Sequence, residues 1–484
     1  MNAPIDLTQF LSQLPILVFL FGALLVPMIG MFLSYAHQQR FSLIVLPLLA
    51  IVSGISLFCY TEQGAIFDSM ILVDPLSMLS VLVSITFVCL SAPIFFKKSH
   101  QKIDEHPTLI ASLLLISCVG ALLMTSSNHL LLVFVGLEIL SIPLYVMTCL
   151  HRNQRNAAEA SFKYFILGAV ASALFVYGMA LVWGETGTIL ISELSGVLFG
   201  PEKISDLTVV GFTLLAIGMF FKFGLAPFHM WTPDVYQAAP SALVSWMSGM
   251  VKMAAVVVIL RFSVSVGHGP FEIKWIQAMK AIAMLSMLWG SLGALFQKNL
   301  KRMLAYSSIS HAGFMAMGLA CAFQGAYEAV YPAIFYYVLS YGLASIVCFA
   351  IILLLEDEQG NVTVESLKGL YAKQPSSAVM LSVALLSLAG LPPLAGFFAK
   401  YQFFVISLKY GHVDMLIVAM ISTVVSLAYY LRIILNLLMS DETSFQETVY
   451  SKQIQISAYV AVLAITLLGI LPWEVISFAS RFWK

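Results

Sequence analysis

The sequence predicts an all-α polytopic membrane protein of about fourteen transmembrane helices, built as two inverted five-helix repeats with broken seventh and twelfth helices. Three observations lead there. The chain is 60% hydrophobic and only 10% charged over 484 residues, with a mean hydropathy of +0.95, more apolar surface than a soluble core can use. Apolar runs close to the roughly 20 residues that cross a bilayer recur along almost the whole length, joined by short polar connections. Finally, Glu138, Lys163, Lys222, Lys252 and Lys400 fall inside or at the edges of those runs. A charge at the bilayer centre costs about 2.5–3.5 kcal/mol on insertion scales, so such residues face a bundle interior or water and mark an ion path.

The expected spans begin near residues 14, 41, 76, 107, 129, 160, 206, 242, 275, 301, 328, 375, 412 and 454. Three N-terminal helices occupy 1–106, a first repeat 107–266, a second, inverted repeat 267–438, and a C-terminal helix 439–484. The opening MNAPIDLTQFLSQLP has no basic region ahead of its apolar run and no A-x-A site, so the first span is expected to be retained. Asp74-Pro75 reads as an N-cap followed by proline at the first helical position of the third span. An even number of spans puts both termini on one side. With those termini outside, the inner loops carry Arg40, Lys97, Lys98, Lys102, Arg152, Arg155, Lys298, Lys301, Arg302, Lys368, Lys373 and Lys452; the outer segments carry Lys203, Arg261, Lys274, Lys409, Arg481 and Lys484. Twelve against six predicts both termini outside by the positive-inside rule.

Two segments interrupt the helices. Lys222-Phe-Gly-Leu-Ala-Pro-Phe-His229 lies in the seventh span and Leu388-Ala-Gly-Leu-Pro-Pro-Leu-Ala-Gly-Phe-Phe-Ala-Lys400 in the twelfth. Pro227, Pro392 and Pro393 lack an N–H and obstruct the preceding turn. Unpaired backbone in lipid costs several kcal/mol, so such breaks survive only where protein or a wet cavity supplies partners. Ordinary proline kinks are the plain alternative, and a lysine beside each break argues against it. Broken helices in matching positions of two repeats point to a transport site. The spacings fit a repeat: Glu138 to Lys222 is 84 residues and His311 to Lys400 is 89, while Lys222 to Lys252 is 30 and Lys400 to Arg432 is 32. Five spans per copy is an odd number, so the second copy would lie inverted.

The residue types suit proton transfer. Burial disfavours the ammonium form of a lysine, a neighbouring carboxylate restores it, and moving a Glu/Lys pair together or apart therefore switches the lysine between holding and releasing its proton. Glu138 with Lys222 is such a pair, or a fixed structural one. Lys252 lies too deep in the eighth span to reach the interface. It and Lys400 are placed to carry the proton onward with His229 and His311, an imidazole having an ordinary pKa of about 6.5. Ser307, one turn before His311, can bond its ring or bridge water. Lys163 also reads as a snorkelling side chain paired i,i+4 with Glu159, His229 as a packing or capping residue, and Lys280 and Arg432 as interfacial anchors.

Other chemistries lack their signatures. The six cysteines, Cys59, Cys89, Cys118, Cys149, Cys321 and Cys348, are scattered without a C-x-x-C, as packing residues are. Neither a Walker A sequence nor G-x-G-x-x-G occurs. Ser307 and His311 have no acidic third member or strand-turn-helix context for hydrolysis. No convergent carboxylates suggest a sodium site, and nucleic acid is not expected as a partner.

The motifs LVFVGLEILSIPLYVM around Glu138, FKFGLAPFHMWTPDVYQAAP from Phe221, KRMLAYSSISHAGFM from Lys301 and LSLAGLPPLAGFFAKYQFF from Leu386 resemble those of the antiporter-like subunits of respiratory complex I. The likeness spans nearly all the expected helices; parts of the motifs are shared with Mrp-type antiporter and membrane-bound hydrogenase subunits. Lysine at position 400, where M-type subunits usually have glutamate, and the lack of a long lateral helix after the last span place it nearest the N type. The resemblance implies a proton-translocating subunit of a bacterial NADH:quinone oxidoreductase, with Glu138 and Lys222 as the Glu/Lys pair, Lys252 as the connecting lysine, Lys400 as the terminal one and Lys163 as the extra lysine of N-type members. It further implies that this chain binds no cofactor, that NADH, FMN, iron-sulfur clusters and quinone belong to partner subunits, and that K-type and M-type subunits and lipids are its neighbours in the inner membrane, with both termini periplasmic. An Mrp-type cation/proton antiporter subunit and a purely structural membrane scaffold are the alternatives.

Overall fold

Apolar segments in hydrocarbon must close their own backbone hydrogen bonds, which a helix does within one segment. The computed structural model describes residues 11–60, 63–96, 106–150, 155–198, 205–265, 270–356, 360–439 and 451–481, and nearly all of these are α-helical. The N-terminal helices are α1 (Leu14–Gly30), α2 (Tyr35–Tyr60) and α3 (Pro75–Phe95). A first group follows: α4 (Pro107–Ser126), α5 (Leu130–Thr148), α6 (Arg155–Thr186), the short α7 (Ile191–Leu198), α8 (Asp206–Phe223), the short α9 (Trp231–Ala238) and α10 (Ser241–Ser265). A second comprises α11 (Pro270–Leu295), α12 (Leu300–Ala322), α13 (Tyr327–Leu355), the one-turn α14 (Leu370–Lys373), α15 (Pro375–Ala389), α16 (Ala395–Lys409) and α17 (Val413–Leu438); α18 (Lys452–Ile470) and α19 (Pro472–Arg481) end the chain. Among the described residues eleven helices are long and apolar enough to cross a membrane, and Leu14–Gly30 and Pro375–Ala389 are shorter apolar helices. The chain is a polytopic, all-α membrane protein. A two-stranded hairpin, β1 (Gly64–Ile66) with β2 (Ile71–Val73), is an addition that the apolar pattern does not disclose.

Most helices start within two residues of where the spans are expected; α2, α6 and α11 begin five or six residues earlier, at Tyr35, Arg155 and Pro270. Asp74 caps α3 as expected, accepting from the Ser77 N–H at 3.0 Å, with Pro75 opening the helix. The centre of the molecule is α10, buried at every residue from Ser241 to Arg261, with α13 packed against it. Their all-round apolarity is the mark of an interior helix. The outer helices α1, α2, α6 and α17 leave many large apolar side chains exposed, a belt that only lipid or partner helices can cover.

Two cations counted toward the loops are buried instead, and a third is half-buried in an ion pair. Arg261 lies on α10 and forks onto Asp74, with Nη1 and Nη2 at 2.7 and 2.8 Å from the two carboxylate oxygens. Lys301, in the first turn of α12, is 2% exposed and pairs with Glu356 at 3.1 Å. Arg302 pairs with Asp234 of α9 at 2.7 Å. The opening residues 1–10 and the loop cations Lys97, Lys98, Lys102, Arg152, Lys203 and Lys484 lie outside the described residues.

Candidate functional site

The first break is a helix end built by glycine. Gly224 has φ +75°, its N–H donates to the Phe220 and Phe221 carbonyls, and the Leu225 N–H returns to Phe220 O at 3.0 Å. That pairing absorbs the last carbonyls of α8 in a left-handed cap, a conformation glycine adopts without a Cβ penalty. Beyond it, the Ala226 N–H donates to Ser286 Oγ at 2.9 Å and the Trp231 indole N–H to Phe221 O at 2.9 Å. The broken backbone is thus served by side chains of α11 and α9.

Lys222 occupies the last turn of α8, 2% exposed. Its Nζ has no hydrogen-bond partner and lies 5.3 Å from the Tyr145 ring centre and 5.6 Å from that of Tyr164. Aromatic faces attract a cation without fixing its direction. Glu138 of α5 acts on Lys222 electrostatically and accepts a hydrogen bond from the Ser172 hydroxyl of α6.

The second break repeats the backbone solution. Gly390 has φ +85°, its N–H bonds the Leu386 and Ser387 carbonyls, and the Leu391 N–H returns to Leu386 O. The Gly396 N–H, at the start of α16, donates to Ser387 Oγ at 3.1 Å. Lys400 lies on the far side of this break, donates to the Ala389 carbonyl at 3.0 Å and sits 5.0 Å from the Phe314 ring centre.

Between the breaks, Lys252 projects from the centre of α10, donates to the Ser308 carbonyl of α12 at 2.6 Å and lies between the Phe223 and Tyr341 rings at 5.7 and 5.5 Å. His311 is buried on α12, with Nδ1 2.7 Å from the Tyr337 hydroxyl, and both Lys252 and Lys400 act on it electrostatically. Ser307 does not bond the ring directly. It bonds the Tyr430 hydroxyl, which in turn lies 3.5 Å from His311 Nε2.

Glu138 thus acts on Lys222, and Lys252 and Lys400 on His311, through electrostatics rather than direct contact. His229 and Lys163 stand apart from those groups. His229 packs its ring edge-on to Trp289 at 5.7 Å, and its Nδ1 has no hydrogen-bond partner. Lys163 is 45% exposed, pairs with Glu159 at 2.8 Å, as the i,i+4 spacing suggests, and reaches Asp234 on α9 at 3.3 Å. Lys280 pairs with Asp414 at 2.8 Å.

Sequence reasoning missed two features. One is the buried pair Lys301–Glu356, joined by the Ser241 hydroxyl and by the Ala239 carbonyl, which accepts from Lys301 Nζ at 2.7 Å. A carboxylate directly after the apolar run Ile-Ile-Leu-Leu-Leu was its signal. The other is the shell of tyrosines around His311, whose signal was the stripe Tyr337, Tyr341 along one face of α13. Among the described residues no group of three or more His, Cys, Asp or Glu side chains is gathered to hold a metal ion.

A family described as NADH:quinone oxidoreductase/Mrp antiporter, TM, matches residues 127–426. The NADH-quinone oxidoreductase subunit N of Coxiella burnetii is 33% identical over 97% of this chain and 98% of its own length. The chain belongs to the family of NADH-quinone oxidoreductase N subunits. Among solved structures, this N-type chain resembles one in respiratory complex I from Thermus thermophilus with a TM-score of 0.80 and 32% identity, covering 96% of this chain and 98% of that one. A chain of the Mrp complex from Dietzia sp. shares the fold, with a TM-score of 0.82 at 19% identity over 99% and 97% of the two chains. The family match covers both breaks, Glu138 and every buried lysine of the N-type site.

Proposed function

We propose that this chain is the proton-translocating N subunit of a bacterial NADH:quinone oxidoreductase, moving protons through Glu138, Lys222, Lys252, His311 and Lys400 as partner subunits reduce quinone. One observation carries the reading: ionisable side chains lie buried in a row of packed apolar helices, at two helix breaks and between them. Their cost in such a place is otherwise unrepaid. Approach of Glu138 to Lys222 holds a proton on the lysine, and withdrawal releases it toward Lys252, whose own neighbours lead to His311 and Lys400. Lys163 and His229 take places at the edges, Lys163 through its link to α9 and His229 beside the first break.

The architecture behind this is fourteen spans, with α8 joined to α9 and α15 to α16 as the broken seventh and twelfth. Residues 1–106 hold the first three, 107–266 and 267–438 the two inverted five-helix repeats, and 439–484 the last. The matching glycine caps support the repeat, as do two matching β-bridges: His129 to Leu190 just before α5, and Asn299 to Thr363 just before α12. Both termini then face the periplasm. K-type and M-type subunits flank the chain in the inner membrane, and NADH, FMN, iron-sulfur clusters and quinone belong to partner subunits.

An Mrp-type antiporter subunit would use the same buried side chains without a quinone reaction, and co-purification with NADH dehydrogenase activity separates the two. The deciding experiment is NADH-driven proton pumping in membrane vesicles carrying Lys222→Ala or Lys400→Ala, with electron transfer and assembly followed together. Loss of pumping in a fully assembled complex is expected. Normal pumping and turnover would leave the charges as structural pairs.

A further inference from the structure

His311 is held from two helices by phenol hydroxyls. Tyr337 of α13 meets Nδ1 at 2.7 Å, and Tyr430 of α17 lies 3.5 Å from Nε2 while also bonding Ser307 on the histidine's own helix. Both tyrosines are under 2% exposed. The Tyr337 ring is stacked on Phe403 of α16 with centroids 5.3 Å apart, and the Tyr430 ring lies 4.4 Å from that of Tyr429. Neither hydroxyl can swing away without repacking a neighbouring helix, because interior side chains are close-packed in single rotamers.

In a neutral imidazole one ring nitrogen donates and the other accepts, and the partner of one decides the role of the other. A phenol is the stronger acid of the two, so across the short contact the Tyr337 O–H donates and Nδ1 accepts. The imidazole proton is then on Nε2, aimed at the Tyr430 oxygen, and the Tyr430 O–H is free to donate to Ser307. Lys252 and Lys400 both bear electrostatically on this ring, so the direction of its N–H decides which neighbour it serves.

We propose that Tyr337 is a positioning residue that fixes the His311 proton on Nε2 and so points the ring at the Tyr430–Ser307 hydroxyl pair. The proposal rests on the reading of His311 as a station on the proton route. It adds Tyr337 and Tyr430, from two other helices, to what that route requires, so the site depends on α12, α13 and α17 keeping register.

The test compares Tyr337→Phe, His311→Gln and the double variant in vesicles containing the whole respiratory complex. It measures NADH-driven pumping, quinone reduction and the solvent deuterium isotope effect on turnover, with assembly followed by native gel. Phenylalanine keeps the ring stacked on Phe403, so assembly at the parental level is expected. Tyr337→Phe is expected to lower turnover roughly two- to tenfold, the range for loss of one hydrogen bond, and to raise the isotope effect, which a purely structural role would leave unchanged. The double variant is expected to be no worse than His311→Gln, the sign that one residue acts through the other. Tyr430→Phe should show the same dependence on His311. Parental behaviour of Tyr337→Phe beside an impaired His311→Gln, or losses that multiply in the double variant, would overturn the positioning role alone. A fully active His311→Gln would instead remove the histidine from the route.

Discussion

The two helix breaks share one backbone solution and differ in what satisfies it. Each helix stops on a left-handed glycine whose N–H, with that of the next residue, returns to the last turn. At the first break Trp231 and Ser286 take the remaining backbone groups, and the Lys222 amine is left with two aromatic faces and the influence of Glu138. At the second, the lysine itself serves the backbone, donating to Ala389. An amine tied to a carbonyl stays where that carbonyl is. One that has only ring faces responds to the position of a carboxylate on another helix. The same motif thus yields a movable charge or an anchored one, and the side chain that supplies the N–H decides which.

Replacing each lysine with methionine gives the largest expected separation in stability. Lys400→Met leaves the Ala389 carbonyl without its partner, at a cost of about 1–3 kcal/mol for a buried group. Lys222→Met removes an amine that has no hydrogen bond and relieves its burial. The Lys400→Met complex is therefore expected to inactivate on heating before the Lys222→Met complex, and equal heat resistance would erase the contrast. Trp231→Phe comes next. It retains a ring against Tyr164, where the two now stack at 4.6 Å, and loses only the N–H to Phe221. The Phe221 carbonyl, left with the Gly224 N–H alone, then competes with Glu138 for Lys222, and coupled turnover is expected to fall roughly two- to tenfold. Unchanged turnover would mean that the tryptophan does not keep Lys222 free.

How far this contrast could be read beforehand differs between its parts. Glu138, Lys222, Lys252 and Lys400 stand out in the sequence because a charge in an apolar run is rare, and the breaks because proline and glycine are visible as letters. Partners are another matter. Arg261 and Asp74 are 187 residues apart, Lys301 and Glu356 are 55 apart, and in a chain this uniformly apolar no periodicity tells which face of a helix turns inward. Lys301 and Arg261 read as loop cations because each lies near a span end, whereas burial of their head groups depends on carboxylates brought by other helices. The role of Trp231 was hidden for the same reason: its indole serves a carbonyl ten residues earlier only after the chain has turned back at the break.

The smallest expected effect is the most direct probe of anchoring, because the backbone cost cancels. Alanine at 224 or at 390 must adopt the same left-handed conformation, at about 1–2 kcal/mol in either place. What differs is the space around the added methyl. At 390 it would lie 3.0 Å from Lys400 Cδ and 3.5 Å from Nζ, and at 224 its nearest neighbour is Thr232 Oγ1 at 3.3 Å. Relief at 390 comes by pushing the lysine stem aside and lengthening its bond to Ala389; relief at 224 leaves Lys222 untouched. The two variants are expected to lose similar heat stability, with Gly390→Ala losing up to about twofold more NADH-driven pumping, a fraction of a hydrogen bond's worth. A larger loss in Gly224→Ala would reverse the assignment, since the lysine sensitive to its break would then be the one that makes no bond to it.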